Sequence, residues 1–314
     1  MKSGYIAIVG RPNVGKSTLL NHFIGEKISI ISKKAQTTRH NITGILTTES
    51  EQFVFVDTPG FQIQCKNALN KGMNKNIKQI LNNVDVIIFM LEANIFNEKD
   101  NAVLNLLCTL NPEIKIIIAI NKTDKLKTKQ QKENLLPFIQ SLQNKINEKN
   151  EKNGKNEKNS NTNFVSIIPI SAEKHKQTEE LLNEIKPYLP NNELLFAADE
   201  ITTRNERFLS AEYIREKLFR LLGDELPYNS AVEIEKFETV SENFRKIYAA
   251  ILVEKPNHKG IVIGKNGESL KRIATSARKD MEKLFGGKIY LELWVKVKSG
   301  WADDQNLLKS LGYD

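Results

Sequence analysis

Eight consecutive residues, Gly10-Arg11-Pro12-Asn13-Val14-Gly15-Lys16-Ser17, carry the densest chemistry in the chain. Glycines at 10 and 15 followed at once by a lysine and a hydroxyl form the pattern of a loop that curls its backbone around phosphate oxygens. In such a loop the main-chain N–H groups, here those from Asn13 through Val14, Gly15, Lys16, Ser17 and Thr18, point inward at the anion. The dipole of the following helix adds to the attraction. Lys16 reaches the β and γ oxygens, and the Ser17 hydroxyl is the expected Mg²⁺ ligand.

A phosphate loop alone does not choose a base. Asn121-Lys122-Thr123-Asp124 does, because a carboxylate at Asp124 accepts from both N1–H and the exocyclic amine of guanine. Adenine cannot satisfy that arrangement, and the wrong base leaves a buried carboxylate unpaired. Asn121 is expected to brace the loop, the aliphatic stem of Lys122 to cover one ring face, and Ser171-Ala172 to bring a backbone N–H to guanine O6. Asp57-Thr58-Pro59-Gly60 supplies an aspartate for the metal, through water, and a glycine N–H for the γ-phosphate. Between them lies Gln36-Thr37-Thr38-Arg39, from which Thr38 rather than Thr37 is expected to complete the Mg²⁺ shell. Arg39 has two readings here, an internal arginine finger or a structural loop residue, and spacing does not decide between them.

A second constellation lies far downstream. Gly264-Lys265-Asn266-Gly267 stands between Ile261-Val262-Ile263 and a helical stretch from Glu268 to Leu284. Glycines at both ends of a four-residue turn let backbone amides approach about four nucleotides of single-stranded RNA. Lys265, Lys271 and Arg272 are placed to meet phosphates. The stretch 255–298 holds 11 basic and 4 acidic side chains, whereas 193–242 holds 6 and 12, so the phosphate-facing surface belongs to the later segment. Tyr290, Trp294 and Trp301 invite a base-stacking reading, but core packing is the expectation for the strand aromatics.

The elements that must position these groups can be read from periodicity. Short β-branched runs at Tyr5–Val9, Gln52–Asp57, Val84–Leu91, Lys115–Ile120 and Phe164–Ile168 alternate with helical patterns, the sign of parallel strands joined by crossover helices. The segment 41–48 is too close to 52–57 for a crossover, so that pair is expected to run antiparallel. The fold class expected is α/β, a mixed sheet with one antiparallel edge strand, followed by a smaller α+β domain. Residues 141–163, almost all Asn, Lys, Glu and Ser, read as a low-complexity insertion that frays or disorders the preceding helix. The domain limits expected are 1–187, a linker 188–203, and 204–314. In the second unit an amphipathic helix from Asn205 to Leu222 precedes strands at Ala231–Phe237 and Lys246–Glu254.

Composition bounds the rest. A chain of 314 residues with 40% hydrophobic and 27% charged residues is large enough for two cores and far from disordered. Its apolar runs, such as Val86 to Leu91, are well short of the roughly 20 residues of a membrane span. No hydrophobic leader follows Met1, and Cys65 and Cys108 lack paired spacing, which together suit a cytoplasmic protein without a cysteine-based zinc site.

The combination GRPNVGKS, KAQTTRH, DTPG, NKTD and SA resembles the Era family of bacterial GTPases, within the broader translation-factor-type class. The order helix, strand, strand, GxxG, helix, strand is similar to a KH domain of the prokaryotic type, and the resemblance to Era covers essentially the whole chain. It implies a monomeric switch that binds GTP or GDP with Mg²⁺ and hydrolyses GTP slowly. It also implies binding to the 3′ region of 16S ribosomal RNA, a role in assembly of the 30S subunit, and contact with the inner membrane face as a trait of the family. Phe61 stands where many signalling GTPases carry a water-orienting glutamine, and Era-like proteins share a hydrophobic residue there. Asn13 matches the asparagine that in potassium-activated relatives helps to hold K⁺ beside the phosphates. On this reading Lys16, Asp57, Gly60, Thr38 and Asn13 serve catalysis. The departure from the family is the length of the 141–163 segment. A tandem or tRNA-modifying GTPase lacks support, with no second phosphate loop and no C-terminal cysteine. An RNA-binding scaffold regulated by GTP without turnover stays open.

Overall fold

The computed structural model describes residues 1–32, 34, 37–60, 75, 77–152, 163–223 and 226–312. The first unit is built on a six-stranded sheet of β1 (Lys2–Val9), β2 (Ile42–Thr47), β3 (Glu51–Asp57), β4 (Val86–Glu92), β5 (Lys115–Asn121) and β6 (Phe164–Pro169), in the order β2-β3-β1-β4-β5-β6. β2 pairs antiparallel with β3, while every other pairing in this sheet is parallel. β4 starts two residues later than the expected Val84, and just before it the Asp85 carboxylate accepts from the Tyr5 N–H at 2.8 Å.

Alternation along the buried strands sends successive side chains to opposite faces. Ile6 and Ile8 meet Leu19, Leu20 and Phe23 of α1 (Lys16–Ile24) together with Leu181 and Ile185 of α5 (Thr178–Ile185). Ala7 and Val9 face the other layer, formed by α2 (Glu98–Cys108) and by α4 (Leu135–Lys152), which follows the short, exposed α3 (Lys129–Glu133). Cys108 is buried in this layer, and Cys65 lies outside the described residues.

The fraying expected from residue 141 onward needs correction as far as Lys152. α4 continues to Lys152, and Leu142 and Ile146 are 1% and 5% exposed against α2 and the sheet. Two apolar residues four apart, continuing from Phe138 and Ile139, suffice to dock one face of a helix whose other faces are polar. Residues 153–162 lie outside the described residues.

The second unit packs α6 (Glu206–Leu221), α7 (Pro256–Ile263) and α8 (Glu268–Phe285) on a three-stranded sheet of β7 (Ser230–Ser241), β8 (Phe244–Val253) and β9 (Lys288–Val297). β7 and β8 are antiparallel, and β8 and β9 parallel. Both strands of the hairpin are longer than expected. α7 is an element that the sequence pattern hides, since Gly260 and Ile261-Val262-Ile263 read as loop and strand residues, yet Pro256 in the first turn favours a helix start. α6 departs from a one-sided amphipathic helix: Glu212, Arg215, Glu216 and Lys217 are buried along with its apolar residues. It is wedged between the second sheet and the first unit, so its charged face meets protein instead of water. Trp301 is fully buried with Leu307 and Leu308 of α9 (Gln305–Ser310) on the outer side of the second sheet. Tyr290 departs from the core-packing expectation: it is 47% exposed, on a face that α9 leaves open. Among the described residues no helix is long and apolar enough to cross a membrane.

Candidate functional site

The phosphate loop joins β1 to α1, and its shape depends on glycine at two points. Gly15 has φ of 110°, and a Cβ there would stand 2.2 Å from Asn121 Nδ2; Gly10, with φ of 153°, would press a Cβ to 2.5 Å from the Met90 carbonyl. Asn13 also takes a left-handed conformation, at φ 65°. The Lys16 ammonium is buried in the loop and donates to the carbonyls of Gly10 and Arg11 at 3.2 and 3.1 Å. Burial lowers its pKa to about 8, with nearby Asp57 opposing the shift.

Three oxygen-bearing side chains from separate elements meet behind the loop. Ser17 Oγ donates to Asp57 Oδ2 at 2.6 Å. Its single proton thus spent, it accepts from Thr38 Oγ1 at 3.0 Å. Thr37 faces elsewhere, donating to the Lys34 carbonyl. Asp57 ends β3, and burial pushes its pKa up against the opposing pull of Lys16 and the hydroxyls of Ser17 and Ser29. Its Oδ1 is buried with no hydrogen-bond partner among the described residues. An orphaned carboxylate oxygen beside two hydroxyls is an all-oxygen donor set that fits Mg²⁺, an ion that keeps its remaining positions for water and phosphate. No group of three His, Cys, Asp or Glu side chains gathers among the described residues, so a zinc-type site has no counterpart there. Thr58 Oγ1 ties this segment to the Ile8 carbonyl, and Gly60 lies so close to Pro12 that a Cβ would stand 2.7 Å from its ring. Phe61 lies outside the described residues.

At the base end, Asn121 works as a brace. Its Nδ2 donates to the Val14 carbonyl of the phosphate loop at 2.7 Å, and its Oδ1 accepts from the Ala172 N–H at 2.9 Å. The Ala172 amide, expected to meet guanine O6, is here engaged by Asn121. Ser171 Oγ donates to Asp124 Oδ1 at 2.5 Å, fixing the orientation of that carboxylate. Lys122, at φ 66°, extends to Glu92, which also accepts from Arg11. Lys122, Asp124 and the phosphate loop are thereby joined in one bonded frame.

Sequence reasoning missed several residues of the cleft. It encloses about 940 Å³ and is lined not only by the phosphate loop, Thr38 and Gly60 but also by Ile30, Ile31, Lys34, Phe219 and Arg220. The last two come from α6 of the second unit. No local pattern signals them, because only tertiary packing brings position 219 to position 16. Ser29, which donates to Asp57 Oδ2 at 3.0 Å, lacked a motif as well.

The GxxG turn joins α7 to α8. Gly264, Asn266 and Gly267 all have positive φ, and a Cβ on Gly264 would stand 2.7 Å from Ser269 Cβ. Lys265, Asn266, Lys271 and Arg272 are exposed. Lys271 and Arg272 share a shallow depression on α8 with Thr275, Ser276 and Lys279. The seven- and eight-residue spacing of Lys279 from those two was the available signal for it.

Two family models match the chain: a 50S ribosome-binding GTPase over residues 5–122 and a KH domain over residues 225–302. The chain is 52% identical to the GTPase Era of Nitrosomonas eutropha over 313 residues, spanning 100% of this chain and 98% of that one. It is 50% identical to that of Chromobacterium violaceum, spanning 99% and 97%. Among solved structures it superimposes with a TM-score of 0.88 on a variant of Era from Aquifex aeolicus bound to GDP and aluminium fluoride, at 38% identity and with 100% and 99% of the chains covered. The same TM-score is found at 39% identity, with 100% and 99% covered, for Era in complex with MgGDPNP and nucleotides 1506–1542 of 16S ribosomal RNA. With a phosphate loop, a guanine-reading loop and a GxxG turn in one chain, and relatives matched along its whole length, this protein is a GTPase of the Era family.

Proposed function

We propose that this GTPase is a switch whose nucleotide state governs binding of single-stranded RNA near the 3′ end of 16S ribosomal RNA, and that it assists assembly of the 30S subunit as a monomer in the cytoplasm. One observation carries the reading: residues of the RNA-binding unit, Phe219 and Arg220, line the nucleotide cleft. A unit that closes the cleft cannot be indifferent to what the cleft holds. The RNA assignment draws on the exposed GxxG turn and on the Era complex with a 16S fragment. The domain limits stay with the reading: 1–187 for GTP, 204–314 for RNA.

Within the cleft, Asp124 and Asn121 hold the base, the amides of residues 13–18 and Lys16 hold the phosphates, and Ser17, Thr38 and Asp57 hold Mg²⁺. When bound, the ion neutralises charge that develops between the β- and γ-phosphates. Lys16 supplies a second positive charge, and the Gly60 N–H a hydrogen bond to the γ-phosphate. Asn13, exposed on the phosphate loop, would hold K⁺ and so supply charge in place of an arginine finger. Arg39 is excluded from that finger role by its burial in the second unit, where it donates to three carbonyls. Hydrolysis is therefore expected to run faster in potassium than in sodium at equal ionic strength, and Asn13→Ala should erase the difference.

The decisive test of the whole reading is to crosslink the protein, with a non-hydrolysable GTP analogue bound, to total cellular RNA and sequence what is captured. Enrichment of the 16S 3′ region supports it, and an even spread over cellular RNA removes it. Measurable phosphate release distinguishes the switch from a scaffold that binds GTP without turnover.

A further inference from the structure

Residues 37–40 form a single buried stretch that belongs to two sites at once. Thr38 touches Ser17 in the first unit, and the next residue, Arg39, is inserted into the second. Its guanidinium donates to the carbonyls of Ser230 (3.0 Å), Pro227 (3.0 Å) and Tyr228 (3.1 Å). The rings of Phe219 and Trp301 flank it, with centroids 5.6 and 5.8 Å from Cζ. Trp301 Nε1 donates to the Asn229 carbonyl of the same turn, so the socket is tied together before Arg39 enters it. His40 follows with a hydrogen bond to the Gly312 carbonyl, also in the second unit.

Consecutive Cα atoms are only about 3.8 Å apart, so Thr38 and Arg39 cannot move independently by much. A planar fork bonded to three carbonyls is held in orientation as well as position, which a single ammonium cannot achieve. Other contacts join the same loop to α6 and the residues just after it, among them Lys27 with Glu216 and Lys34 with the carbonyls of Leu222 and Gly223. None of those residues adjoins a side chain that touches the metal site.

We propose that Arg39 is a positioning residue: seated in the Phe219–Trp301 socket, it holds Thr38 against Ser17 and makes the cleft's preference for triphosphate over diphosphate depend on the second domain. This deepens the function proposed above and rests on it, since it takes Thr38 as a ligand needed only when a γ-phosphate and Mg²⁺ are present. RNA binding is taken to favour the seated socket, and linkage then makes RNA and triphosphate raise each other's affinity by the same factor.

The test uses the full-length protein and Arg39→Ala. Affinities for Mg²⁺ with a non-hydrolysable GTP analogue and for GDP are measured, followed by affinity for a single-stranded RNA of the 16S 3′ sequence in each nucleotide state. The variant should bind the triphosphate analogue at least about tenfold more weakly and GDP within twofold of the parent. The ratio of its RNA affinities in the two states should fall to about one. A residue important only for folding would weaken both nucleotides together. If the parent already shows equal RNA affinity in both states, the switch reading itself falls and this proposal with it. If the parent shows a difference and Arg39→Ala keeps it, only the latch is overturned. Should Arg39→Ala not fold, Arg39→Lys decides: it keeps the charge but loses the fork, so at least half of the triphosphate preference should disappear. Full retention overturns the proposal.

Discussion

The nucleotide cleft and the GxxG turn, proposed above as two phosphate-facing sites, are built in opposite ways. In the cleft the working groups are buried or half-buried and bonded within the protein: Lys16 to two carbonyls, Ser17 to Asp57, Asn121 to both Val14 and Ala172, Ser171 to Asp124. At the turn Lys265, Asn266, Lys271 and Arg272 stand in solvent. A buried, preorganised donor discriminates sharply, because a wrong partner leaves a desolvated group unsatisfied. Exposed charges contribute by counterion release, summed over many contacts and little concerned with sequence. The cleft should therefore fail steeply on one substitution, and the turn gradually.

The largest effect is expected at Asp124. Asp124→Asn replaces an acceptor for two guanine donors with an amide that meets the exocyclic amine with its own N–H. Losing one charge-assisted bond and creating one unsatisfied contact costs about 3–5 kcal/mol, on the order of 10²–10⁴ in affinity. Binding of xanthosine triphosphate, whose C2 carbonyl accepts from the new amide, should rise. Titration of the purified variant with both nucleotides measures this, and parental GTP affinity would refute the guanine assignment.

The turn should respond less. Replacing Lys265 and Asn266 together by Asp sets two negative charges against the RNA backbone, with a loss of about 10- to 100-fold in RNA affinity. GTP binding should survive, since the turn shares no residue with the cleft. In the parent, log affinity should fall linearly with log salt, at about −0.7 per phosphate neutralised on a single strand. A folded double variant with parental RNA affinity would move the search for RNA contacts away from this turn.

The same contrast explains what was legible in the sequence. Motifs read well where chemistry is confined to a short run: Gly10 to Ser17, Asn121 to Asp124, Asp57 to Gly60 and Gly264 to Gly267 each sit at the end of an element and the turn beside it. Thr38 rather than Thr37 is the threonine expected at the metal, and of the two it is Thr38 that lies beside Ser17. Phe219 and Arg220 at the cleft had no such signal, nor did the burial of Arg39 among carbonyls 188 to 191 residues away. Such placements depend on docking between units, which leaves no period in the chain. α7 was missed because a glycine and β-branched residues speak against a helix locally, while packing of Val262 into the second core outweighs that preference. In α4 composition misled: Leu142 and Ile146 are few, but their spacing matters more than their number.

The smallest effect concerns a proton, and it separates the two regions by the variable that governs each. Salt is the lever on the exposed turn; pH should be the lever on the buried lysine. With its pKa lowered to about 8 by burial, the Lys16 ammonium is close to half-charged at pH 8 in the nucleotide-free protein. Phosphate oxygens favour the charged form, so GTP binding draws the missing proton from solution. The sign follows: binding is unaffected well below pH 8 and weakens as pH rises above it, by about tenfold between pH 7 and 9. Calorimetric titration at pH 8, in two buffers of different ionisation enthalpy, should report uptake of about half a proton per GTP bound. In Lys16→Arg, whose side chain stays charged at every pH used, the uptake should vanish even if affinity is poorer. Equal apparent enthalpies in the two buffers for the parent would mean that Lys16 is already fully charged in the empty cleft, and that the carbonyls of Gly10 and Arg11 hold it so.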